Sequence, residues 1–291
     1  MLFGELWFEN EFCFLYSSTN VGKSILAVQI ADSISKGEAI NGFKLEAEKQ
    51  AVLYCDFELS EKQFERRYSE DFQNHYSFDD NFERMEIDPD ENIPEGYSFE
   101  HYLCLSLEAA IVKKSAKVLI IDNLTFLKSG TESAKDALPL VKGLKGLKEK
   151  YGLSLLVLAH TPKLYGSHPI TKDQMSGSST LMNFCDSSFA IGESSTGKQM
   201  RYIKQIKVRS SEMVFDAENV AICEIVKPTN FLHFEFVKTD TENKHLKKQN
   251  KEDETQLIAD VKQLRSEGKS LRQVGDLLGI DKNKVSRLEK K

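Results

Sequence analysis

The stretch FLYSSTNVGKSILA, Phe14 to Ala27, decides how the chain reads. Its first residues belong to an apolar run, Phe12–Tyr16, that predicts a strand, and from Ser24 to Lys36 the apolar spacing predicts a helix. Between them lies Ser17–Lys23, closing on Gly22-Lys23-Ser24. A loop in that position sits at a helix N-terminus, where unpaired backbone N–H groups and the positive end of the helix dipole favour a phosphate. The phosphate-loop pattern G-x-x-x-x-G-K-[ST] asks for glycine at position 17, and this chain has Ser17. The first glycine serves the geometry of the turn, a task a small residue can also perform.

The predicted ligands are ATP and Mg²⁺, held by Ser17, Ser18, Thr19, Asn20, Val21, Gly22, Lys23, Ser24 and Ile25. Gly22 lets the backbone approach closely, Lys23 reaches the β- and γ-phosphates, and Ser24 offers its hydroxyl to Mg²⁺. A second apolar run, Val118–Asp122, ends in a carboxylate that the same arrangement brings beside the loop, so Ser24 and Asp122 are the predicted metal groups. A third run, Ala51–Asp56, continues to Glu58, which would stand at the carboxyl edge of a sheet, where open α/β folds bind ligands. Glu58 is a candidate base for the attacking water. Asp56 is its rival, because period-2 geometry puts both on one side of an extended chain.

Further runs at Leu153–Ala159 and Ser188–Ile191 also lack polar alternation, as strands covered on both faces do. Helical patterns at Glu61–Glu70 (with Ser60 as its cap), His101–Lys114 and Lys135–Tyr151 separate them. Strand and helix in alternation predict an α/β fold, a mainly parallel sheet flanked by helices. Gly197–Phe215 and Val220–Phe236 lack the helices and predict late antiparallel strands. Segment 71–98 carries no chemistry that the sequence assigns.

Composition sets the bounds. The 291 residues are 40% hydrophobic and 29% charged, enough to bury a core. No run of eighteen apolar residues predicts a membrane span, and the acidic start MLFGELWFENEF is not a signal peptide. Five scattered cysteines without a C-x-x-C pair predict reduced thiols and a cytoplasmic protein. The net charge of −6 is uneven: from Lys244 to Lys291 there are 13 Lys and Arg against 8 Asp and Glu. A basic tail on an acidic body concentrates any nucleic-acid contact in the tail.

Over residues 1–238 the chain resembles the RecA-like P-loop ATPases, and within them the hexameric replicative helicases of the RepA and DnaB types. The segment FELSEKQFERR from Phe57 is similar to the stretch after the second strand of that group, which implies a catalytic role for Glu58. The group tolerates a small residue in place of the first loop glycine. LVLAHTPK, Leu156–Lys163, resembles its fourth core strand, which implies that His160 senses the γ-phosphate. Lys207 and Arg209, in IKVR, match a K-x-R pair presented to the neighbouring subunit, so a homo-oligomer, a hexameric ring, is implied, with Arg209 as the finger and Lys207 as its companion. Lys163–Ser176, with Tyr165, Gly166, His168 and Lys172, occupies the place of the loop facing single-stranded DNA. No helical docking domain precedes residue 1, so the nearer likeness is to RepA-like ATPases of plasmids and mobile elements.

Residues 240–254, TDTENKHLKKQNKED, read as a linker after an ATPase domain spanning 1–239. Beyond it, 255–291 reads as a small all-α helix-turn-helix module. Leu257–Glu267 is amphipathic and Gly268 ends it; Ser270 caps Leu271–Leu278; Gly279 makes the turn; Asp281 caps a third helix with Val285 and Leu288 facing inward. SLRQVGDLLGIDKNKVSRL is similar to units of resolvase and sigma-factor type. The third helix would offer Lys282, Asn283, Lys284, Ser286 and Arg287 to duplex DNA. Three functions compete: a DNA motor, an ATP-switched DNA-binding regulator without unwinding, and a RecA-fold signalling ATPase, circadian-clock-like, whose tail docks protein.

Overall fold

The computed structural model describes residues 1–86, 93–123, 134–160, 166–172, 182–247, 251–278 and 280–291. Its centre is a sheet in the spatial order β11-β10-β9-β8-β1-β7-β6-β2-β5. The strands are β1 (Phe12–Ser17), β2 (Val52–Asp56), β5 (Phe82–Glu86), β6 (Val118–Asp122), β7 (Ser154–His160), β8 (Ser187–Glu193), β9 (Met200–Lys207), β10 (Val220–Val226) and β11 (His233–Asp240). From β5 to β8 every pairing is parallel, and β9, β10 and β11 continue it in antiparallel fashion. Helices α1 (Lys23–Lys36), α2 (Glu61–Arg67), α3 (Phe99–Lys114) and α4 (Ala134–Tyr151) connect the parallel strands. Two cores follow from side chains alternating across the sheet. One, with Phe14, Leu119 and Leu155, lies under α3 and α4, and the other, with Leu15, Ile120 and Leu158, lies under α1. Among the described residues no helix is long and apolar enough to cross a membrane. The five cysteines are free thiols, four of them buried.

Three differences from the sequence reading have a side-chain cause. Helix α2 stops at Arg67 rather than Glu70, because Tyr68 turns into an aromatic cluster with Phe64, Phe78 and Phe231. Ser69–Glu70 (β3) then pairs with Asn74–His75 (β4) through a turn at Asp71 and Phe72. Strand β2 stops at Asp56 rather than running to Glu58, since the Asp56 carboxylate takes the amides of Glu58 and Leu59 at 3.0 and 2.9 Å in place of a ladder partner. The stretch 240–254 is not wholly a linker. Residues 242–245 form a 3₁₀ turn in which Glu242 and His245 are buried, and Glu242 pairs with Lys204 at 2.5 Å. Polar composition disguised a buried ion pair as a spacer.

The tail folds as three helices, α5 (Lys251–Ser266), α6 (Leu271–Leu278) and α7 (Lys282–Glu289). Leu257, Val261, Val274, Ile280, Val285 and Leu288 form a core of their own. Gly268, at φ 82°, ends α5; the Ser270 hydroxyl accepts from Gln273 N, and Asp281 accepts from Asn283 N. At Gly275 a Cβ would stand 2.6 Å from Ile280 O, so the turn between α6 and α7 packs directly on the α6 backbone. Gly279 lies outside the described residues.

Candidate functional site

Register carries the predicted residues to one edge. Ser17 pairs with His160 across β1 and β7, and Asp56 pairs with Asp122 across β2 and β6. With β7 standing between β1 and β6, the end of each strand opens toward the loop that follows β1. Such a carboxyl edge is where open α/β sheets bind ligands.

In the loop, Ser17 and Val21 are buried, Thr19 and Asn20 are exposed, and Ser18, Gly22, Ser24 and Ile25 are half-buried. Gly22 has φ 111°, and an added Cβ would lie 2.9 Å from Phe234 Cζ and 3.0 Å from Ile225 Cδ1, so backbone strain and sterics both require glycine. Lys23 is buried. Its Nζ donates to Ser17 O and Ser17 Oγ, both at 3.2 Å, and to Ser18 O at 3.1 Å, and it lies 3.0 Å from His160 Nδ1. Burial pulls the ammonium down to about 8, against Asp122 and Glu58, which hold it up.

Asp122 is fully buried, with Oδ2 accepting from Tyr54 OH at 2.5 Å and Oδ1 lacking a hydrogen-bond partner. Burial pushes its carboxyl up to about 6, opposed by the neighbouring hydroxyls of Ser24 and Tyr54. A buried carboxylate oxygen left over beside a serine hydroxyl fits a divalent cation held partly by phosphates. Among the described residues no group of three or more His, Cys, Asp or Glu could hold a metal on its own.

The rival carboxylates separate by their partners. Asp56 is buried and spent on structure: beside the two amides it accepts from Arg84 Nε at 3.0 Å. Glu58 is exposed, and its Oε1 accepts from Asn123 Nδ2 and faces His160 Nε2 at 3.3 Å. The His160 hydrogen bond holds the Glu58 carboxyl below its ordinary value despite partial burial. Lys23 meets the ring at Nδ1, and Nε2 faces both Glu58 Oε1 and Asn123 Nδ2. Lys23, His160 and Glu58 therefore form one chain of contacts, with Asn123 beside Glu58 and 3.0 Å from His160 Nε2.

Lys207 and Arg209 stand apart from this group. Lys207 pairs with Ser188, which itself pairs with Phe14 near the start of β1, the end of the sheet away from Ser17. Lys207 Nζ donates to Met182 O and Cys185 O; Arg209 pairs with Asp186 at 3.1 Å and is half-exposed. They are not placed to act on Lys23's site in the same chain. In the tail, Lys282, Asn283 and Arg287 are exposed and Ser286 is half-buried, whereas Lys284 faces the body, with Nζ 3.0 Å from His168 Nε2. Of the candidate loop Lys163–Ser176, residues 163–165 (with Tyr165) and 173–176 lie outside the described residues. Gly166 accepts from Lys247 N through its carbonyl, and Lys172 is exposed.

Sequence reading missed Asn123, Tyr54 and Arg201. Asn123 follows directly on Asp122, and Tyr54 is the one polar-tipped side chain in the run VLYC, so both carried a local signal. Arg201 carried none. It lies in β9, 7% exposed, and its Nε donates to Val21 O at 2.8 Å. A family model described as an AAA domain matches residues 2–165, a span that takes in Lys23, Glu58, Asp122 and His160 and ends before Lys207, Arg209 and the tail. No curated protein matches the chain.

Proposed function

We propose that this chain, which belongs to the AAA domain family, is an ATP-hydrolysing, RecA-like DNA motor of the RepA-like replicative helicase type. Family membership supports ATP hydrolysis. The finer reading is carried by one observation: Lys23, His160 and Glu58 lie in hydrogen-bond contact, 3.0 and 3.3 Å apart across the ring, beside the buried carboxylate of Asp122.

In this reading the loop N–H groups from Ser18 to Ser24 hold the β- and γ-phosphates, and Lys23 turns Nζ from the Ser18 carbonyl to a phosphate oxygen. Glu58, kept ionised, accepts a proton from a water that attacks the γ-phosphorus; ADP leaves and inorganic phosphate forms. His160 and Asn123 orient the Glu58 carboxylate. Ser24 and Asp122 would hold Mg²⁺, which when bound neutralises charge on the phosphate oxygens. Arg209, remote from its own chain's Lys23, supplies the finger to a neighbour.

A second reading, the ATP-switched regulator that unwinds nothing, is favoured by the Lys284–His168 contact. It ties the helix proposed for duplex DNA to the segment that follows His160. One set of assays separates the two: ATPase rate with no DNA, single strands or duplex, and strand separation on a forked substrate. A motor is stimulated by single strands and separates them. A regulator binds duplex through the tail and separates nothing.

A further inference from the structure

Arg201 is a buried cation without an ion-pair partner among the described residues. Burial lowers its pKa and only Glu193, at longer range, supports its charge. An uncompensated buried charge is costly, so what it touches matters. Nη1 donates to Lys198 O at 3.0 Å and Met200 O at 2.9 Å, which fixes the guanidinium plane, and Nε donates to Val21 O. In a trans peptide the C=O and N–H point in opposite directions. Fixing Val21 O on Arg201 therefore turns the Gly22 N–H away from Arg201. Gly22 is at the same time wedged against Phe234 and Ile225, so the Val21–Gly22 peptide is held from both sides.

We infer that Arg201 is a positioning residue for the nucleotide phosphates: it orients the Gly22 N–H toward them and places a fixed positive charge behind the loop. The inference rests on the proposed ATP site and deepens it. A point charge in a low-dielectric setting acts over several ångströms, so its effect grows with the number of phosphates on the ligand. The loop carbonyl it holds is the part that glutamine or lysine reproduces poorly.

The test is nucleotide binding by the full chain, measured calorimetrically for AMP, ADP and ATP with Mg²⁺, alongside melting temperatures without nucleotide. Wild type must bind ATP; if it binds no nucleotide, the proposed function fails first and takes this inference with it. Given wild-type binding, Arg201→Gln is expected to weaken ATP by about ten- to hundredfold, the range for losing a hydrogen bond from a charged group. The loss is expected to shrink from ATP to ADP to AMP, and Arg201→Lys, which keeps the charge, is expected to recover part of the affinity. Equal losses for all three nucleotides, without recovery by lysine and with a lowered unliganded melting temperature, would reduce Arg201 to packing. Wild-type affinity in the glutamine variant would overturn the inference outright. Should that variant not fold, the lysine variant decides. Unchanged ATP affinity then overturns the orienting role, and weakened ATP binding at an unchanged unliganded melting temperature supports it.

Discussion

His160 Nδ1 lies 3.0 Å from Lys23 Nζ, and this turns the opposite ring nitrogen, Nε2, toward Glu58. One side chain thereby reads both the lysine assigned to phosphate and the carboxylate assigned to water. Removing the ring in His160→Ala deletes the main influence that keeps the Glu58 carboxyl low, leaving only Asn123 and Lys23 to oppose burial. The acid limb of the hydrolysis profile is then expected to move to higher pH, with turnover down by about ten- to hundredfold from lost orientation. The rate measured from pH 4 to 9 checks this. An unmoved limb would separate His160 from Glu58.

Glu58 and Asp56 are expected to fail in different ways. Glu58→Gln keeps ATP binding and slows hydrolysis by about 10²- to 10⁴-fold, the scale of general-base catalysis. Asp56→Asn weakens the Arg84 pair and one acceptor of the Glu58 and Leu59 amides, so its main effect is a lower melting temperature. Melting and single-turnover data on both variants distinguish them. A stable Asp56→Asn protein that binds ATP and does not hydrolyse it would reverse the assignment.

Asp122 ties pH to both stability and metal. Its folded pKa, about 6, lies above the ordinary 3.8, so between those values the folded chain binds more protons than the unfolded one. Stability is therefore expected to fall as pH rises through that window, by at most about 3 kcal/mol for a shift of this size. At pH 7 the buried charge is a cost that function retains. Asp122→Asn should raise the melting temperature at pH 7, flatten its dependence between pH 4 and 6, and abolish Mg²⁺-dependent turnover. Chelation of Mg²⁺ should silence wild type. A variant that melts lower and still hydrolyses with Mg²⁺ would exclude Asp122 from the metal site.

Four central strands of the parallel core, β1, β2, β6 and β7, were legible because each carries an apolar run and ends in a polar residue, Ser17, Asp56, Asp122 or His160; β5, with the polar sequence FERME, was not. Local spacing placed those ends, and sheet register then brought them together. Spacing alone separates Glu58 from Asp56 poorly, because their partners depend on where β2 stops, and that is set by side-chain bonds from Asp56 to Arg84 and to two amides. Arg201 was out of reach for a similar reason: its bond to Val21 spans 180 residues and depends on β9 lying antiparallel on β8. Burial of Glu242 and His245 in a polar stretch likewise came from partners, Lys204 and Ser194, that neighbouring sequence does not announce.

The tail has its own core, and residues 240–247 belong to the body, so truncation is best placed after Lys247. That protein is expected to keep basal ATPase and lose duplex binding. The exposed Lys282 and Arg287, joined by Lys284 when it leaves His168, contact up to about three phosphates, so log affinity should fall with log salt at about −0.9 per contact. Lys284→Ala should cut the slope by about one contact. Duplex binding that ignores salt, or survives truncation, would move the DNA contact off the tail. Fluorescence anisotropy across a salt series provides the measurement.

Arg209 is held by Asp186 and Asn183 at the end of the sheet away from Lys23, so its own chain cannot use it as a finger. Either it reaches a neighbouring subunit or it has no part in hydrolysis. If it reaches across, Arg209→Ala retains nucleotide binding and loses turnover steeply, arginine fingers contributing about 10³- to 10⁵-fold. Lys207, bound to two carbonyls beside it, orients that segment, so Lys207→Ala should produce a milder loss of the same kind. Mixing is the decisive step. Arg209→Ala protein mixed with Glu58→Gln protein creates some interfaces in which an intact Glu58 meets an intact Arg209, and those interfaces should hydrolyse ATP although neither variant does alone. Specific activity should also rise with protein concentration in wild type, as assembly completes each site. A mixture as inactive as its components, with wild-type turnover independent of concentration, would leave Arg209 as a surface ion pair and remove the reason to expect a ring.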